Sequence, residues 1–281
     1  MKREDIFFIV IPVVLAGAVI FGHYHFLVSQ NPQVHSRPLV TTSFVQSLHD
    51  SELTPAAPTT TLPRKVSGEM QDIPTSIGKL TEILNRIRSQ GGNVLLLRIG
   101  MKLTPDGSII LSQGAESSQE LLLRWTKKTV SEAHKQGLHT YVAMMFIEQS
   151  QVVDPGKFSN QLKELIARWG NMAQEYHVSY FLPGIVLGQF NYNSLPQDNL
   201  QVFITEIERA TRETYTGLLG IGLCCSSSAI APSGYNQLLI ITDIGAPDPV
   251  LMTKARADAK RYGIEYVFIL DQNSQRLSSI Q

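Results

Sequence analysis

From residue 75 onward the sequence predicts a (β/α) TIM-like barrel, preceded by one apolar helix. Three observations predict it. Strand-length runs are apolar at nearly every position, as in Val94-Leu95-Leu96-Leu97-Arg98-Ile99, which marks strands buried on both faces. Between them lie helical stretches with apolar residues three and four apart. The two kinds alternate along the chain, the arrangement that builds a parallel sheet through right-handed crossovers.

Each element follows from its residues. Ile77, Leu80, Ile83, Leu84 and Ile87 share one helical face, and Gly91-Gly92 ends that helix. The next helix carries Leu122, Trp125, Thr129 and Ala133, stops at Gly137, and leads into a strand from His139 to Phe146. A longer helix carries Phe158, Leu162, Leu165, Ile166, Trp169, Met172 and Ala173, and a strand over Val178 to Val186 follows it. Leu200, Phe203, Ile204 and Ile207 mark another helix, before strands at Leu218–Leu223 and Gln237–Ile241. A last helix runs from Pro249 to Arg261, stops at Gly263, and precedes a strand at Tyr266–Leu270. With Leu39 to Val45 as a possible first strand the count is about seven, which fits a barrel lacking one unit. The alternative is an open doubly wound sheet. No GxGxxG or GxxxxGK[ST] follows any strand, so a dinucleotide-binding version has no support.

The N-terminus carries a different signal. Ile6 to Gly22 contains no charge, and Phe26, Leu27 and Val28 extend the run past His23, Tyr24 and His25. That length meets the roughly 20 residues of helix needed to span a bilayer. Lys2 and Arg3 precede it, and no Lys or Arg follows until Arg37. The positive-inside rule places the N-terminus in the cytoplasm and the main domain outside, at the cell membrane. A cleaved signal peptide, cut near Ala16-Gly17-Ala18, is the competing reading and exports the domain equally. The expected organisation is an anchor over 1–28, an extracytoplasmic linker over 29–74, and a barrel over 75–281. The linker assignment rests on the Ser, Thr, Pro and Ala of residues 47–74.

Composition narrows the function classes. The chain has 24 basic and 24 acidic residues, a net charge of +0, and so no electrostatic footprint for nucleic acid. Its two cysteines, Cys224 and Cys225, are adjacent, which is neither a disulfide framework nor a zinc spacing. No cofactor motif is present. His134 and His139 flank a helix stop, where a cation is favoured. Trp125 and Trp169 lie on apolar helix faces, as core residues do.

Several stretches resemble TIM-barrel glycoside hydrolases of the clan-A type, especially exported members on a membrane tether. Gly91-Gly92-Asn93-Val94 and His134-Lys135-Gln136-Gly137-Leu138-His139-Thr140-Tyr141-Val142 are similar to the approaches to two early barrel strands in those enzymes. Trp169-Gly170-Asn171-Met172-Ala173-Gln174-Glu175-Tyr176-His177-Val178 is similar to the helix-to-strand passage before their acid/base residue, and Ala259-Lys260-Arg261-Tyr262-Gly263-Ile264-Glu265 to the approach to a late strand. The likeness spans roughly residues 75 to 275, and its motifs serve packing in any barrel of this kind. It implies a polysaccharide or cell-surface glycan as partner. It also exposes a departure. Glycosidases use two carboxylates, one to protonate the leaving oxygen. In Pro183-Gly184-Ile185-Val186-Leu187-Gly188-Gln189 the positions matching the family's Asn-Glu pair are Ile185 and Val186, which carry no proton.

The candidate site residues follow from the barrel rule that active sites sit at the C-terminal strand ends. Asp243 follows the strand ending at Ile241, and Asp271 the one ending at Leu270, so these two are the candidate catalytic carboxylates. The alternative for each is a turn or helix cap. Arg98, Gln189, Asn191, Tyr192 and Gln272 are candidate sugar-binding residues, with Lys102 and Glu148 at neighbouring strand ends. Arg98, inside an apolar strand, requires a partner, either a barrel-lining carboxylate or a ligand. Ser226-Ser227-Ser228 lacks the G-x-S-x-G elbow of a nucleophile. Two function classes remain: a glycosidase-like enzyme, with or without surviving hydrolysis, and a non-catalytic glycan-binding or scaffold domain.

Overall fold

The computed structural model describes residues 48, 53–56, 62, 63, 65–112, 119–147, 154–187, 197–224, 234–242 and 249–279. All belong to one unit, Val45–Gln281. The strand expected at Leu39 to Val45 and the apolar segment Ile6 to Val28 lie outside the described residues. Among the described residues no helix is long and apolar enough to cross a membrane.

The elements run in the order β1 (Ser67–Asp72), α1 (Ile77–Ser89), β2 (Val94–Leu103), β3 (Ile109–Leu111), α2 (Gln119–Lys135), β4 (His139–Phe146), α3 (Pro155–Glu175), β5 (Tyr180–Pro183) and β6 (Val186–Leu187). They continue with α4 (Gln197–Arg212), β7 (Leu218–Cys224), β8 (Gln237–Thr242), α5 (Pro249–Tyr262), β9 (Tyr266–Asp271) and β10 (Arg276–Ser279). The side chains of Ser76 and Asp154 accept the backbone N–H groups of Lys79 and Lys157 and so cap the N-termini of α1 and α3.

The strands close into a ring in the order β1-β2-β4-β5-β7-β8-β9-β10, with β6 continuing the path of β5 beside β7. Closure excludes the open doubly wound sheet. Seven of these eight positions are parallel. The eighth is β10, antiparallel to both neighbours, pairing Leu277 with Leu270 on one side and with Gly68 on the other. The missing βα unit is thus replaced by a hairpin. β1 falls in the stretch expected to be linker, so the barrel starts before residue 75.

Alternation along each strand sorts the apolar side chains into two layers. One lies between strands and helices and includes Leu95, Leu97, Val142, Phe181, Ile240, Trp125 and Trp169. The other, formed largely by strand residues, fills the ring: Met70, Val94, Leu96, Tyr141, Ala143, Tyr180, Leu182, Leu239, Phe268 and Leu270 are among them. The lumen is therefore plugged, as expected of a ring this size. Aromatic rings form much of the plug, with Tyr180 5.7 Å from Tyr141 and 5.1 Å from Phe268 between centroids. The Tyr141 hydroxyl donates across the ring to Gln237 Oε1 at 2.5 Å. A Cβ on Gly220 would lie 2.6 Å from the Tyr141 hydroxyl, so only glycine leaves room for that bond.

Parts of the expected linker are structural. The carbonyls of Leu48 and Thr54 accept from Arg124 Nη2 at 2.7 Å and Ser131 Oγ at 2.6 Å, and that of Leu53 accepts from the Tyr176 hydroxyl. Leu48 and Leu53 join the outer apolar layer, while Leu62 packs against the lumen residues with Leu218 and Tyr266, at strand starts. The described residues of this segment thus strap α2 and the C-terminal end of α3, and Leu62 reaches the floor of the ring. His134 lies buried near it, with Nε2 3.0 Å from Thr140 Oγ1. Burial, reinforced by His139 and His177, pushes its pKa down to about 4. The cation expected at this helix end is replaced by a neutral imidazole, because desolvation outweighs the helix-end attraction.

Two predictions follow from this packing. A Cβ on Gly68 would overlap the Val94 carbonyl oxygen, whereas one on exposed Gly78 in α1 meets nothing within 4 Å. Gly68→Ala is expected to destabilise the fold by at least about 1–3 kcal/mol, and Gly78→Ala to stabilise it by about 0.5–1 kcal/mol, as read from urea midpoints. For His134, the unfolded chain takes up a proton at the ordinary pKa of 6.5, before the folded chain does. Its contribution is full above that pH and is lost as pH falls towards 4. The melting temperature of the wild type is expected to drop more between pH 7 and pH 4.5 than that of His134→Gln.

Candidate functional site

β2 is the tallest strand of the ring. It pairs with β1 only as far as Arg98 and with β4 as far as Met101, then turns back through β3 as a hairpin above the rim. Val94, Leu96, Arg98, Gly100 and Lys102 share the inward face, so Arg98 stands at the mouth, just above the apolar plug. Its Nε donates to Asp72 Oδ1 at 2.8 Å, and the two residues are register partners on β2 and β1. The partner that Arg98 required is thus a barrel-lining carboxylate at the neighbouring strand end. Asp72 was not visible as a site residue in the sequence, because its strand alternates polar and apolar residues inside a Pro/Ser/Thr-rich region. The signal that pointed to it was the charge of Arg98 within an apolar strand.

The hairpin is fixed in place. Asp106, in its turn, accepts from the Thr104 hydroxyl, from Ser108 Oγ at 2.8 Å and from Lys157 Nζ at 3.0 Å. These bonds hold its carboxyl well below the usual carboxylate range. Gln161 Oε1 on α3 accepts from the Ile109 N–H at 2.8 Å.

Ile185 and Val186, which the sequence resemblance sets against an Asn-Glu pair, lie in the interior. Ile185 and Val186 are 0% exposed. Gly184, with φ +83, turns the chain between β5 and β6. Val186 then enters the lumen layer and Ile185 the strand–helix layer. Val186 Cγ2 sits 2.8 Å from where a Cβ on Gly222 would be, so its pocket has no space for solvent.

Asp271 has a specific local task. Oδ1 accepts the backbone N–H of Asn273 at 3.0 Å and that of Ser274 at 3.4 Å, and Oδ2 accepts the Ser274 hydroxyl at 2.7 Å. The Ser274 hydrogen bond is the chief cause of a lowered carboxyl pKa. Its alternation partners Val267 and Ile269 lie on the outer side of β9, with Val267 packed on the outer layer. The carboxylate is therefore engaged in the β9–β10 turn, the capping role that was the alternative for it. Gln272, the next residue, is half-buried and donates its N–H to the Thr242 carbonyl at 3.0 Å. Asp243, Gln189, Asn191, Tyr192 and Glu148 lie outside the described residues. The structure thus brings together Arg98, Asp72 and Lys102 on one sector of the mouth.

A groove of about 610 Å³ lies elsewhere, on the outer wall between α1 and β9, β10 and β1. No helix among the described residues covers that wall, and β1 and β10 present Glu69, Arg276 and Ser278 to it. Glu69, 8% exposed there, pairs with Arg86 Nη2 at 3.0 Å. Among the described residues no group of three or more His, Cys, Asp or Glu is placed to hold a metal ion.

No protein-family model matches the chain, and no curated protein matches its sequence. Solved structures do match its fold. A GH113 β-1,4-mannanase superposes with a TM-score of 0.51 at 11% identity, over 70% of this chain and 69% of that one. The GH113 β-mannanase AaManA from Alicyclobacillus acidocaldarius gives 0.50 at 13% identity, over 69% of this chain and 64% of that one. The endo-1,4-β-mannanase from Rhizomucor miehei gives 0.50 at 10% identity, over 76% of this chain and 80% of that one. The fold is a TIM-like barrel, the fold of these enzymes. At these identities the likeness is one of fold.

The sealed Val186 pocket generates a prediction. Val186→Glu places an unpaired carboxylate in hydrocarbon and is expected to cost about 3–5 kcal/mol, seen as a lower denaturant midpoint, with no gain of glycosidase activity.

Proposed function

We propose that this chain is a membrane-anchored, extracytoplasmic barrel that binds a polysaccharide or cell-surface glycan at its mouth and has lost the hydrolytic chemistry of the enzymes it resembles. The observation that carries the reading is the pair Ile185 and Val186. Buried hydrocarbon stands where the resemblance calls for a proton donor, and glycoside cleavage requires one. The fold likeness to mannanases supports a sugar as the ligand class, and the Arg98–Asp72 pair supplies polar groups at the mouth to orient it. The uncharged run from Ile6 to Gly22, behind Lys2 and Arg3, supports the anchor and the outward placement.

The second reading, a surviving hydrolase, is favoured by Asp243, which directly follows the last residue of β8. One experiment separates the two. The full-length chain is incubated with β-mannan, cellulose, chitin and peptidoglycan, with both binding and reducing-end release measured. Binding without release is the expected result. Release abolished by Asp243→Asn establishes the hydrolase instead. Neither binding nor release removes the glycan reading altogether. Fusion of a periplasmic or extracellular reporter after residue 281 is expected to be active, and an inactive fusion contradicts the outward placement.

A further inference from the structure

The β2–β3 hairpin is amphipathic in a way the ring itself does not require. Its outer face, Met101, Leu103, Ile109 and Leu111, packs into the strand–helix layer. Its inner face continues the inward alternation of β2 above the plug. There Lys102 is register partner of Ile110, and Gly100 lies against Ser112. Ile147, at the end of β4, shares this face. A Cβ on Gly100 would come within 3.1 Å of Ile147 Cγ2 and would overlap the Ser112 hydroxyl, so the glycine allows these side chains to close over the strand. Two large aliphatic side chains are thereby left open to solvent on the mouth side, Ile110 at 46% exposure and Ile147 at 39%.

We propose that this inner face is a ligand-contacting ledge of the mouth, on which Ile110 and Ile147 meet the C–H face of a pyranose ring while Lys102 donates to its hydroxyls. The inference rests on the glycan reading above and names the residues that determine specificity within it. The chemistry matches the ligand class, since a pyranose offers an apolar C–H patch edged by hydroxyl acceptors, and an ammonium supplies three donors. The ledge is also pre-organised. Lys157 and Gln161 on α3 clamp the hairpin from outside through Asp106 and the Ile109 N–H, so little ordering cost remains for the ligand to overcome.

The test uses the full-length chain and soluble manno-, cello- and chito-oligosaccharides, with affinities from calorimetry. Ile110→Ser and Ile147→Ser are each expected to weaken binding tenfold or more. Val202→Ser, which alters a more exposed aliphatic on α4 at 56% exposure, is expected to leave it unchanged. Circular dichroism melts within a few degrees of wild type confirm that all three fold. Wild-type affinity in both ledge variants overturns the ledge and leaves the glycan reading standing. A wild-type chain that binds none of these oligosaccharides overturns the ledge, and the glycan reading falls with it only when the polymers, peptidoglycan included, are not bound either.

Discussion

Every strand edge in this ring has to be paired, and β10 makes that possible. A sheet with an open side would present bare N–H and C=O groups to solvent and to other chains. With seven parallel strands the edges of β1 and β9 would both remain unpaired. β10 fits between them by running the opposite way, returning through a tight turn instead of a helical crossover. The lumen plug, the rim geometry and the turn that engages Asp271 all depend on this closure. It also explains the polar outer wall beside α1. A strand that returns by a turn brings no helix with it, so Arg276 and Ser278 meet water there, and the buried Glu69 pairs with Arg86.

Most of the fold was legible because its strands are buried on both faces. A run such as Val94–Leu97 has no other reading, and a helix such as Pro155–Glu175, with a proline at its start and an unbroken apolar face, is equally plain. The two strands at the seam, β1 and β10, did not show. Their outward positions hold Glu69, Gln71, Arg276 and Ser278, since no helix among the described residues covers that wall. The inward positions alone, Met70 and Leu277, are too few to stand out. The strap was hidden for a related reason. Its contacts use backbone carbonyls, which leave no trace in residue type, plus isolated leucines in a polar stretch.

The site was legible in part. Arg98 was conspicuous as a charge within an oily strand, and that argument leads directly to Asp72. The burial of Ile185 and Val186 was legible too, because both lie in an apolar run at a strand end. Asp271 shows the limit of such reasoning. An aspartate at a strand end reads identically whether it faces a substrate or ties down its own turn, and only the hydrogen bonds to Asn273 and Ser274 distinguish the two. The ledge was invisible because Ile110 and Ile147 look like any other core residues until their exposure is known.

The seam has a consequence for how the chain acquires its shape. Val66 and Ser279, 213 positions apart, bond to one another across it. Such remote pairings form slowly, because a long loop must close before they reward it. During synthesis the ring stays unsealed until β10 has left the ribosome, and a product that stops before Arg276 keeps two raw sheet borders open to aggregation.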